Sequence, residues 1–71
     1  MSYGEAIRQY RKARGWKLEA AAGRLGIGKA TLSDLENGRS TNPRFSTMWA
    51  LADVYEFGLS DQATMLEPEG S

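Results

Sequence analysis

Four residues between positions 22 and 35 constrain this chain more than anything else in it: Ala22, Gly26, Leu32 and Leu35. Ala22 is small enough to let a second helix cross closely over the first. Gly26 follows the apolar Leu25 and accepts a positive φ without steric cost, so it ends one helix in a tight left-handed turn. Leu32 and Leu35, three apart, share one face of the next helix and return it onto the first. The spacing therefore predicts two short helices packed into a corner. The outward face of the second helix carries Lys29, Ala30, Ser33 and Asp34. These side chains are short and mostly polar, of a kind that meets base edges when a helix lies in the major groove of DNA.

Charge at first argues against a polyanionic partner, because the chain has a formal net charge of zero. The distribution argues for one. All nine Lys and Arg fall within the first 44 residues, where only Glu5, Glu19, Asp34 and Glu36 oppose them, so that segment carries +5. Residues 45–71 hold Asp53, Glu56, Asp61, Glu67 and Glu69 with no base, a charge of −5. One cationic face with an acidic end held away from it is the implied arrangement. The 71 residues contain neither Cys nor His, which removes disulfides, the usual zinc ligands and the commonest general base. No phosphate-cradling glycine loop is present, since Gly23, Gly26 and Gly28 belong to a helix and its turn with no preceding strand. An enzyme is not expected, nor any cofactor or metal. No apolar run is long enough to span a bilayer and the first residues lack a signal core, so a cytoplasmic location is expected.

Apolar periodicity predicts an all-α fold of four or five short helices and no strand. Residues 3–14 form an amphipathic helix with Tyr3, Ile7 and Tyr10 inward, stopped by Gly15. A second helix is expected from Trp16 to Leu25, a turn at 26–28, and a third helix from Lys29 to Glu36 closed by Asn37-Gly38. Pro43 keeps the loop before the fourth helix out of the α region. That helix is expected from Phe45 to Tyr55, with Phe45, Met48, Leu51, Ala52 and Tyr55 inward and Ser46 or Thr47 helping to cap it. Ser60 is the expected N-cap of a last helix from Asp61 to Leu66. Residues 1–66 read as one domain and 67–71 as a disordered tail. These 71 residues leave no room for a separate effector-sensing unit, so no small-molecule effector is expected.

The spacing at 22–35, together with Leu35-Glu36-Asn37-Gly38-Arg39 and Asn42-Pro43-Arg44-Phe45, resembles the Cro/repressor-type helix-turn-helix family, the lambda-repressor-like domains of phage and bacterial regulators. The resemblance runs from about Glu5 to Leu59. It implies double-stranded DNA as partner, with the start of the third helix on the bases: Lys29 donating to guanine, Ala30 against a thymine methyl, Asp34 accepting from cytosine, and Ser33 beside them. Asp34 has a second reading as a paired surface charge. Arg11, Lys17, Thr31, Asn37, Arg39, Thr41 and Arg44 are the implied sugar-phosphate contacts, which fix register rather than sequence. Arg11 and Glu36 match a pair that joins the first and third helices in similar repressors.

Two departures from that pattern matter. Lys17 and Leu18 stand where many members have Ser or Thr and then a phosphate-binding Gln, so Lys17 is left to anchor the second helix as a point charge. Ala21 replaces a larger core residue, and Trp16, with Trp49, is expected to refill the volume. A single short helix reads few base pairs, so the expected regulator acts as a homodimer on a pseudo-palindrome. Trp49, Leu59, Met65 and Leu66 are the expected contact between copies. The competing reading is a protein-interaction module, such as an antitoxin or anti-repressor, with weakened DNA contacts.

Overall fold

In a computed structural model, which describes residues 2–40 and 42–66, five helices follow one another: α1 (Tyr3–Ala13), α2 (Leu18–Leu25), α3 (Lys29–Glu36), α4 (Phe45–Tyr55) and α5 (Leu59–Leu66). No strand occurs among the described residues. The expected disordered tail, 67–71, lies outside them, as does Thr41.

Local chemistry explains three of the helix ends. Ser2 caps α1 by accepting a hydrogen bond from the Glu5 amide at 3.2 Å. Gly26, at φ 71°, closes α2, and the Ile27 amide reaches back to the Ala22 carbonyl at 3.1 Å. That six-to-one bond satisfies a carbonyl the helix would otherwise leave bare. The same device ends α3, where Gly38 takes φ 76° and the Arg39 amide donates to the Asp34 carbonyl at 2.9 Å.

Three boundaries and caps differ from expectation. α2 begins at Leu18 rather than Trp16, because Arg11 Nη1 draws on the Trp16 carbonyl at 3.0 Å and Lys17 stays extended. α5 begins at Leu59 rather than Asp61, since the Gly58 carbonyl already accepts the Gln62 amide at 3.0 Å, which removes Ser60 as the cap. Arg44, not Ser46 or Thr47, occupies the N-cap of α4, and no side chain caps it.

The core gathers Tyr3, Ala6 and Ile7 of α1, Ala21, Ala22 and Leu25 of α2, Leu32 and Leu35 of α3, Leu51 and Tyr55 of α4, and Phe57. α1 packs mainly on α3, α2 bridges α3 and α4, and α5 lies against α4 and α1. The closest approach is made at Gly4. A Cβ there would stand 2.5 Å from the Leu35 carbonyl oxygen and 2.7 Å from that of Glu36, so only glycine lets α1 rest on the end of α3. Trp16 stacks obliquely on Tyr55, centroids 6.1 Å apart, and carries the Arg24 guanidinium over its ring at 4.6 Å.

Phe45 and Trp49 do not join the core. They are 64% and 55% exposed, because the buried stripe of α4 runs through Thr47, Leu51 and Tyr55 and sets both aromatics on another face.

A polar knot closes the fold. Gln62 of α5 is fully buried. Its Nε2 donates to the carbonyls of Met48 (2.9 Å) and Phe57 (2.8 Å), and its Oε1 accepts the Tyr3 hydroxyl at 2.8 Å. Burial pushes the Tyr3 hydroxyl up to about 12. A raised folded-state value favours the neutral form, so this contribution is whole below the ordinary tyrosine value and is lost as pH rises above it.

Candidate nucleic-acid interface

Two ends of α3 are built differently. At its start, Gly28 is the N-cap and makes no side-chain cap, so the first amides of the helix face outward at its positive end. Lys29, Ala30 and Thr31 are all exposed there. Thr31 and Arg44 border one polar concavity together with Gly26, Gly28, Ser46 and Thr47. Chain-distant groups suited to a phosphate are thus brought beside the residues suited to bases.

The far end is held in a network. Glu36 is 5% exposed. Arg11 grips it bidentately, Nε to Oε2 at 2.7 Å and Nη2 to Oε1 at 3.0 Å. Donating to the Glu36 carboxylate also raises the Arg11 guanidinium's affinity for its proton. A second arginine, Arg8, approaches the same carboxylate at 3.6 Å and donates to Asn37 Oδ1 at 2.7 Å. Because arginine can only donate, the Asn37 oxygen must face it, which turns the amide nitrogen toward Ser33. That nitrogen donates to the Ser33 carbonyl at 2.8 Å and to its hydroxyl at 3.3 Å. Asp34 pairs with Arg39 at 3.3 Å on the surface.

The structure therefore separates the sequence-derived candidates. Lys29, Ala30, Thr31 and Arg44 present themselves to solvent. Ser33, Asp34, Asn37 and Arg39 engage one another or Arg8, and Arg11 is taken up by Glu36 and Trp16. Lys17 sits exposed at the N-cap of α2. Of the residues expected between copies, Trp49 borders one concavity on α4, whereas Met65 and Leu66 border another with Tyr3 and Gly4. Leu66 packs against the core and Leu59 is half-buried at the start of α5.

Sequence reasoning missed Arg8 and Gly4. Arg8 stands three residues before Arg11, on the same helix face, and that spacing was the available signal. For Gly4 the signal was a glycine inside a helix that would be more stable with alanine.

A buried corner, an outward first turn and a clamped last turn define a helix-turn-helix unit of the kind that presents one helix to DNA. The chain belongs to the helix-turn-helix domain family, whose model matches residues 2–65. It is 41% identical over 61 residues to the HTH-type transcriptional regulator DdrOP3 of Deinococcus deserti, covering 86% of this chain and 46% of that protein. It is 34% identical over 70 residues to the HTH-type transcriptional regulator SinR of Bacillus subtilis, covering 94% and 63%. SinR of Bacillus licheniformis is 42% identical over 53 residues, covering 75% and 48%. The chain thus spans about half to two thirds of the length of these relatives. No described helix is long and apolar enough to cross a membrane.

Proposed function

We propose that this chain is a sequence-specific DNA-binding transcriptional regulator, a repressor that occupies a pseudo-palindromic operator as a homodimer in the cytoplasm, with α3 in the major groove. As a member of its family it is a binding protein and not an enzyme. The observation that carries the reading is the exposed first turn of α3, Lys29 to Thr31, on a helix whose other end is fixed by two arginines on one buried glutamate. A probe that must enter a groove needs such a rigid root and a free tip.

The roles follow from the chemistry. Lys29 donates to guanine O6 or N7, and Ala30 packs on a thymine methyl; Ser33 and Asp34 read further along the groove. Asp34 accepts from cytosine when Arg39 turns to a phosphate. Arg44, Lys17, Thr31, Asn37 and Thr41 follow the sugar-phosphate backbone, and Arg11 adds a phosphate contact to its structural pair. No small-molecule effector is part of this reading, so concentration and cooperativity set occupancy.

Selection of bound oligonucleotides from a random duplex pool tests it. Enrichment of an inverted repeat is expected, with an affinity that falls steeply with salt. Failure to enrich any sequence, or binding indifferent to salt, would overturn the proposal. Arg44→Ala provides a control on duplexes that hold a single half-site: it should weaken all sequences alike and lower the salt slope by about one.

A further inference from the structure

The exposed face of α4 remains unexplained by the DNA reading. Phe45 and Trp49 meet edge to face there, centroids 5.8 Å apart, and both stand mostly in solvent. Next to them Trp49, Ala50, Ala52 and Asp53 border an open concavity whose lining is mainly small and apolar. Two large exposed rings beside a shallow hollow are unusual on an isolated surface. The face is also polar end to end. Arg44 and the uncapped amides mark its N-terminal end, while exposed Asp53 and Glu56 mark the other.

Such a face is complementary to itself when reversed. Place a two-fold axis at Trp49 and run two copies of α4 antiparallel. Phe45 and Asp53 each lie four residues from Trp49, so Phe45 of one copy comes opposite Asp53 of the other. The hollow beside Trp49 then receives the partner's Phe45, and each positive helix end meets the partner's acids. Knob and hole are separated by roughly 10–12 Å along one helix, which is the offset an antiparallel pair repeats on both sides. We propose that a second copy of this chain covers the Phe45–Trp49 face through an antiparallel α4–α4 contact. The inference rests on the homodimer proposed above and assigns its interface to α4 in place of Leu59, Met65 and Leu66. With few residues a side, the interface belongs to the small class, and a reversible dimer is expected.

Sedimentation equilibrium without DNA tests the contact. The unsubstituted chain should pass from monomer to dimer as its concentration rises. Trp49→Ser should raise the dissociation constant at least tenfold and, at concentrations where the chain is monomeric, leave the melting temperature nearly unchanged, since that ring stands mostly in solvent. Arg44→Glu and Asp53→Arg should each give monomers, and an equimolar mixture of the two should recover dimers, because every facing pair then has opposite charges. A chain that stays monomeric at several hundred micromolar overturns the inference. So does a dimer indifferent to Trp49→Ser, or a mixture no more associated than its components. The DNA reading is scored separately on duplexes. Trp49→Ser should keep its affinity for a single half-site and lose only the gain from the second. Loss of half-site binding by the unsubstituted chain would sink the DNA reading and leave the sedimentation result standing.

Discussion

The two turns of α3 have nearly the same length and opposite circumstances. The first is exposed, uncapped by any side chain and free of ion pairs among the described residues. The last is half-buried or buried and engages Arg8, Arg11, Asn37 and Arg39. Residue type alone does not tell a side chain that stands free from one that must first release a partner, whereas the contacts within the fold do. Lys29 and Thr31 have hydrogen-bonding capacity to spare, while Asn37 spends its amide on Arg8 and Ser33.

This contrast can be broken from the clamped end first. Glu36→Ala strands two guanidiniums, one of them largely buried, and should lower stability by about 3 kcal/mol. Thermal unfolding checks it, and an unmoved melting temperature would show that the clamp is not structural. Gly4→Ala forces a methyl group onto the Leu35 and Glu36 carbonyls, so α1 must shift off α3. A loss of roughly 2 kcal/mol is expected from overpacking against backbone that cannot yield, measured by denaturant titration. At the free end, Lys29→Ala should leave unfolding untouched and weaken the selected site by ~1–3 kcal/mol, relaxing preference at one base pair. Equal weakening on random duplex would contradict a base contact. The smallest effect is expected from Arg39→Ala. Its pair with Asp34 is exposed on both sides, so the stability change should stay within about 0.5 kcal/mol.

How much of this was legible beforehand depended on distance along the chain. The corner at 22–35, the α3 span and the Gly26 and Gly38 turns follow from neighbours a few residues apart, and the sequence shows them directly. The Gly4 approach and the Arg8 contact depend on where α1 crosses α3, some thirty residues away. Periodicity within one helix cannot supply that crossing point. Phe45 misled for a related reason. Its spacing to Met48, Ala52 and Tyr55 fits an inward stripe, but Thr47, Leu51 and Tyr55 fit one too, and packing against α2 selects the second. Gln62 was invisible because an amide on a short terminal helix ordinarily belongs in water. At the candidate interface, residue types and positions were readable, but their mutual engagement was not.

The Gln62 amide has a consequence for how the molecule comes apart. It supplies two donors and one acceptor to three different segments, and glutamate in its place would strip the Phe57 carbonyl of its donor and the Met48 carbonyl of its second bond. An eight-residue helix at the margin of a small protein would ordinarily fray on its own. Here it cannot detach without stripping bonds from α1 and from both ends of the α4 segment at once. Opening of α5 should therefore track unfolding of the helical core, and amide hydrogen exchange compared across α5 and α3 checks it.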